Sequence, residues 1–214
     1  DVVELAPGLG LTAVIALASN PNTYTGIELN DEAAAILRKS ITGTGREIII
    51  GNAADSNLRD NAYTKVYGEA MLTMQGASRK SEIIREAYRI LKPGGRYGIH
   101  ELGLHPDDIA ADRKAEIQRE LATSIKVNAR PLTQSEWTNL LEQEGFQMVK
   151  VETSPMHLLR LKRMIDDEGL LRTFKILVNI LIRPKERSRI LAMRKVFEKH
   201  QNQMNAISIV CEKI

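Results

Sequence analysis

At 214 residues, 43% hydrophobic and 27% charged, the chain has the apolar material for one substantial core and a charge content ordinary for a globular domain. Its 30 basic against 27 acidic residues leave a formal net charge of +3, too near balance to point to the concentrated basic face of a nucleic-acid binder. A single cysteine, Cys211, excludes an intrachain disulfide and a multi-thiolate metal site, and it suits a reducing cytoplasm. No signal peptide is visible, and the nearest candidate for a membrane span, Phe174 to Ile182 (FKILVNILI), falls far short of the roughly 20 residues required.

Val2 to Leu5 read as a buried strand at the very start of the chain, so we expect a fragment or a missing first segment. After Ala6-Pro7-Gly8-Leu9-Gly10 comes a small-residue helix over Thr12 to Ser19. Tyr24 to Glu28 is a second strand, and Asp31 to Ser40 a helix capped by Asn30 or Asp31. Ile48 to Ile50 enter the polar turn Gly51-Asn52-Ala53-Ala54-Asp55, and Lys65 to Gly68 is a weak fourth strand. Ile83, Ile84, Ala87, Ile90 and Leu91 carry helical spacing over Arg79 to Leu91, stopped by Lys92-Pro93-Gly94-Gly95. Arg96 to Leu102, Phe146 to Thr153 and Asn205 to Cys211 are further strands, with a helix over Gln134 to Glu144.

This alternation predicts an α/β fold with a mostly parallel sheet and helices on both faces, since parallel neighbours need crossover connections. We expect a single domain over residues 1–214, its cofactor-binding half at 1–104. Two helical insertions, at 105–130 and 156–204, are where substrate specificity would reside.

Glycines at 8 and 10, between a strand and a helix, let the backbone approach a ligand. The run from Gly8 to Ala13 also satisfies the dinucleotide pattern GxGxxG/A, and Glu28 lies about 20 residues on, where a ribose-binding acid is expected. A carboxylate accepting both ribose hydroxyl protons serves NAD and S-adenosylmethionine alike. A tight structural turn, with Glu28 a solvated strand-end charge, is the plainer alternative.

The surrounding residues favour one cofactor. Glu4-Leu5-Ala6-Pro7-Gly8-Leu9-Gly10 resembles the first motif of class I S-adenosylmethionine-dependent methyltransferases, an acid on the first strand followed by a glycine-rich turn. Gly26-Ile27-Glu28, Gly51-Asn52-Ala53-Ala54-Asp55 and Leu91-Lys92-Pro93-Gly94-Gly95-Arg96 resemble the same family's later motifs in the same order. The resemblance implies a Rossmann-like, seven-stranded sheet whose last strand is antiparallel. It also implies a S-adenosylmethionine site built from Glu4, Ala6, Gly8, Gly10, Glu28, Asn52, Ala53 and Glu69, with Glu4 near the methionine end. Asn52 stands where the family often has Asp to accept from the adenine amine, and Lys65 where relatives often have Asp.

Methyl transfer from a sulfonium demands alignment above all, and sometimes removal of a proton. The carboxyl ends of the fourth and fifth strands bring Glu69, His100, Glu101 and His105 into consideration. Glu69 and His100 are the candidate catalytic residues. A supporting acid or a helix-terminal charge is the alternative for Glu69, and a packing residue for His100, because only one of His100 and Glu101 can face a given side. The apolar and basic stretch after Met156 reads as a lid over an apolar small-molecule substrate, a dimer surface, a cover on the sheet or a membrane-surface element. An NAD-dependent oxidoreductase and a non-catalytic scaffold of the same fold are the competing readings.

Overall fold

The computed structural model describes residues 1–156 and 184–214. Their strands form one sheet of eight. Strand β1 (Val2–Leu5) is an interior strand between β2 (Tyr24–Glu28), which pairs onward with β3 (Arg46–Ile50), and β4 (Tyr63–Glu69). Beyond β4 come β5 (Leu91–Leu104), β8 (Met204–Lys213) and β7 (Phe146–Pro155), and a two-residue strand β6 (Leu132–Thr133) pairs the end of β5. β8 is antiparallel to both β5 and β7, as expected of the last strand.

The path of the sheet holds the seven strands expected, and β6 adds an eighth beside it. β6 is too short to carry an alternating pattern, and several strands run longer than their apolar runs because polar residues continue the backbone pairing. Helix α3 (Ala77–Ile90) ends one residue early, and β5 is assigned from Leu91, which pairs Tyr63 before the register shifts to Lys65 opposite Arg96.

All four residues of β1 are buried, as befits a parallel strand covered on both faces. On one face, Val3, Leu5, Val66, Tyr97, Ile99, Ile207 and Ile209 pack with Ile83, Ile84, Ala87 and Ile90 of α3 and with Trp137 and Leu141 of α5 (Gln134–Gln143). Trp137 is fully buried and donates Nε1–H to the Leu102 carbonyl at 3.3 Å, the partner a buried indole requires. α5 starts at a capping box, Thr133 with Glu136.

On the opposite face, Ala13 of α1 (Leu11–Ala18) and Ala34 and Leu37 of α2 (Asp31–Ser40) pack on Tyr24 and Ile48. Asn30 is the α2 cap, its Oδ1 accepting from the Ala33 amide at 2.9 Å. Further along that face Leu104 and Met204 meet Ile117 and Leu121 of α4 (Ala111–Ile125), with Val196 and Phe197 of α6 (Pro184–Lys199) packed alongside. Lys199 Nζ joins α6 to α4 by bonds to Glu116 at 2.8 Å and Glu120 at 2.6 Å.

The first insertion is thus α4 and its flanks. Of the second, α6 is seen, while every expectation placed on residues 157–183 lies outside the described residues. No helix among those described is long and apolar enough to cross a membrane. β1, β2, β3, β4 and β5 run parallel, so the segments following them gather at one edge of the sheet.

Candidate active site

The turn after β1 is built from left-handed residues: Ala6 at φ 55°, Gly8 at 56° and Gly10 at 80°. The two glycines have different reasons to be there. A Cβ on Gly10 would lie 2.7 Å from Leu37 Cδ2, inside the packing of α2, whereas one on Gly8 would meet nothing within 4 Å. Gly8 faces open space of the kind a ligand can enter.

Glu28, at the end of β2, is buried and its two carboxylate oxygens are separately fixed. Oε2 accepts from the Gly8 amide and Oε1 from the Asn30 amide, each at 2.9 Å. Each oxygen keeps a second lone pair, so the carboxylate can accept from two neighbouring hydroxyls. Leu29, 72% exposed, stands between Glu28 and Asn30. The Gly51 amide bonds the Glu28 carbonyl at 3.0 Å, which brings Asn52 and Ala53 beside this corner.

Asn52 is engaged differently from the expectation that its amide oxygen would receive an adenine amine. Oδ1 accepts from the Ala54 amide at 3.0 Å and from Arg79 Nη2 at 2.5 Å, so both its lone pairs are committed within the protein. Arg79 reaches over from the first turn of α3. Glu4 is also placed otherwise. It is buried within the sheet, and one of its oxygens, Oε2, accepts from the hydroxyls of Tyr24 on β2 at 2.5 Å and Tyr67 on β4 at 2.6 Å. Burial pushes its carboxyl pKa up, and the two hydroxyl bonds pull it back.

Glu69 and His100, register partners on β4 and β5, come together on the face that carries α1. His100 Nδ1 lies 3.2 Å from Glu69 Oε1, and Glu69 Oε2 accepts from the Thr12 hydroxyl at the start of α1. The side chains of His100 and Glu69 are 49% and 41% exposed, open enough for a ligand to reach them. The His100 bond holds the Glu69 carboxyl below the usual carboxylate range; burial opposes this and Thr12 reinforces it.

Alternation sends Glu101 to the opposite face, where it is buried. His105 is not brought to Glu69. It precedes a cis peptide to Pro106 and lines a cleft of about 570 Å³ with Asp107, Gln134, Thr153 and Asn205. Lys65 is an exposed residue of β4. Thr12, Leu29 and Arg79 were not foreseen: Thr12 stands at an unspecified position of the glycine pattern, two residues after Gly10, and no local pattern marks the reach of Arg79.

A family model described as a methyltransferase domain matches residues 3–99. An uncharacterised protein of Haemophilus influenzae is 30% identical over 217 residues, spanning 99% of this chain and 84% of that protein. A ubiquinone/menaquinone biosynthesis C-methyltransferase of Methylobacterium nodulans is 33% identical over 120 residues, 52% of this chain and 45% of the relative. The solved phosphoethanolamine N-methyltransferase 2 of Haemonchus contortus in complex with S-adenosyl-L-methionine superposes with a TM-score of 0.70 at 14% identity, covering 99% of this chain and 48% of that one. Motif order, strand order and these likenesses agree: residues 3–99 match a methyltransferase domain, and the sheet has the Rossmann-like fold of the class I S-adenosylmethionine-dependent methyltransferases.

Proposed function

We propose that this chain binds S-adenosylmethionine along the carboxyl edge of the sheet and transfers its methyl group to a small-molecule acceptor. The observation that carries the reading is Glu28, a buried carboxylate whose oxygens are aimed by the Gly8 and Asn30 amides while each keeps a lone pair for a ribose hydroxyl. Gly8 leaves the approach open, and Leu29 with Ala53 offers an apolar border for the adenine. Ala6 and Gly10 shape the turn, Glu4 braces the strands beneath it, and Asn52 holds the third turn through Arg79 rather than meeting the base itself. Bound there, the cofactor supplies a methyl group on a sulfonium, an excellent leaving group.

The chain's own part is alignment and proton handling. Glu69 places negative charge beside that position, and His100 takes the proton an acceptor releases, the carboxylate 3.2 Å away stabilising the imidazolium that forms. The acceptor is a small molecule of unspecified atom type: one relative is named as a carbon methyltransferase and a structural neighbour as a nitrogen methyltransferase. The cofactor-binding half at 1–104 and the two insertions divide the labour, α4 and α6 covering the face beyond His100. A cytoplasmic location fits the lone buried cysteine, and residues 156–204 serve as lid or dimer surface.

Calorimetric titration with S-adenosylhomocysteine and, in parallel, with NAD tests this reading. Saturable binding of the first alone is expected. Binding of NAD alone overturns it, and binding of neither favours a scaffold role.

A further inference from the structure

Strand β5 grips the end of β4 from both faces of the sheet. On one face His100 meets Glu69, and the His100 carbonyl accepts from the Ala70 amide at 2.8 Å. On the other, Glu101 is 3% exposed and takes four hydrogen bonds from one short stretch of chain. Its Oε1 accepts from the Met71 amide at 3.0 Å and the Leu72 amide at 2.8 Å; its Oε2 accepts from the Thr73 amide at 3.0 Å and the Thr73 hydroxyl at 2.6 Å.

Three successive backbone amides converging on one carboxylate make an anion-binding concavity in which the anion is the protein's own side chain. Such a carboxylate is costly to bury unless its lone pairs are filled, and here they are. Burial pushes its pKa up, while the bonds from Thr73, Leu72 and Met71 pull it down.

The far end of the same stretch is fixed as well. The Thr73 carbonyl accepts from the Arg130 amide at 2.7 Å. Buried Lys80 donates from Nζ to the Gln75 carbonyl at 3.0 Å and the Arg130 carbonyl at 2.9 Å, above the Trp137 ring. Residues 71–75 are thus held by a buried acid at one end and a buried base at the other.

What this fastening secures lies one residue back. Ala70 sits at φ 51°, a left-handed conformation that strains an alanine. The bend at Ala70 ends β4 with the Glu69 side chain against His100 and Thr12. An unfastened loop can release that strain, and Glu69 then loses its place.

We propose that Glu101 is a positioning residue: its grip on the amides of residues 71–73 holds Ala70 in its bend and so keeps Glu69 against His100 and Thr12. The functional weight of this rests on the role assigned to Glu69 above, but the positioning can be measured without any ligand.

The test uses the full chain and follows the Glu69 carboxyl by carbon-detected NMR titration in wild type, E101Q and T73V. E101Q removes the charge and turns an NH2 group toward amide donors; T73V removes only the hydroxyl bond and serves if E101Q does not fold. We expect the Glu69 midpoint to rise toward the ordinary value of 4.5, further in E101Q than in T73V, and S-adenosylhomocysteine binding to weaken by about tenfold, near 1.4 kcal/mol. I84V, a core change on α3 that costs packing alone, should leave the Glu69 midpoint where it is.

A Glu69 midpoint unchanged in both E101Q and T73V, or moved equally by I84V, would overturn the proposal. A midpoint that moves as expected while S-adenosylhomocysteine affinity holds would uphold the positioning and instead overturn the part of Glu69 in the cofactor site.

Discussion

Gly8 and Gly10 stand two residues apart with the same left-handed backbone, yet alanine should fail at the two positions in different ways. Each substitution strains a positive φ, at about 1–2 kcal/mol, so the strain largely cancels when the two variants are compared. At Gly8 the new methyl meets nothing within 4 Å. At Gly10 it lands 2.7 Å from Leu37 Cδ2, so Leu37, fully buried in the cluster with Ala13, Tyr24, Ala34 and Ile48, must shift within packed surroundings. Overpacking of this kind costs about 1–3 kcal/mol. At about 2–4 °C per kcal/mol for a chain of this size, Gly10→Ala should melt roughly 2–12 °C below Gly8→Ala. Affinity for S-adenosylhomocysteine should rank the other way. Gly8→Ala fills ligand space and should weaken binding at least about tenfold, and Gly8→Val should abolish it in a folded protein. Thermal melting and calorimetry on both variants decide the matter. A Gly8→Ala protein that binds as wild type would refute the placement of the cofactor, and a Gly10→Ala protein that melts no lower than Gly8→Ala would refute the division of roles.

Glu28→Gln leaves one acceptor oxygen and sets an NH2 group against an amide donor; losing one charge-assisted bond should cost about 1.5–3 kcal/mol and reduce S-adenosylhomocysteine affinity by at least about tenfold, both read from the same two assays. The Glu69 carboxyl is held low chiefly by His100, so its stabilising contribution is complete above the ordinary value of 4.5 and is lost as pH falls through the lower folded value. The gap in melting temperature between wild type and Glu69→Gln should accordingly shrink on acidification below that point, and a gap that widens there would contradict the pairing. Cys211 is buried, and its thiol is pushed up to about 12 by that burial, so a thiol reagent at pH 8 should label it only after denaturation.

The parallel half of the fold was legible because its signals are local: apolar runs for strands buried on both faces, glycine and proline for the turns, Asn30 for a helix cap. Gly8 and Glu28 were legible for the same reason, since a βα unit puts a strand end and its turn at a known spacing. Contacts between distant segments were not. Whether Glu4 faces the turn or the interior depends on two tyrosines that neighbouring strands bring to it, 20 and 63 residues away. Arg79 meets Asn52 only once α3 has docked. Alternation left His100 and Glu101 as a choice of faces, and the packing of α5 and the Met71 to Thr73 stretch decides it. β6 is two residues held by β5 alone and has no pattern of its own.

The carboxylate of Glu4, joined to Tyr24 on one side and Tyr67 on the other, also bears on how the central strands find their alignment during folding. Parallel strands of nearly uniform apolar residues can slide past one another with little loss of burial. A slip of β1 by one residue would turn Glu4 into the apolar layer with Val66 and Ile99 and leave two phenol hydroxyls without their acceptor. Misaligned arrangements are then penalised on both faces of the sheet at once. A single polar residue on an interior strand thereby selects one register among several that hydrophobic burial alone would tolerate.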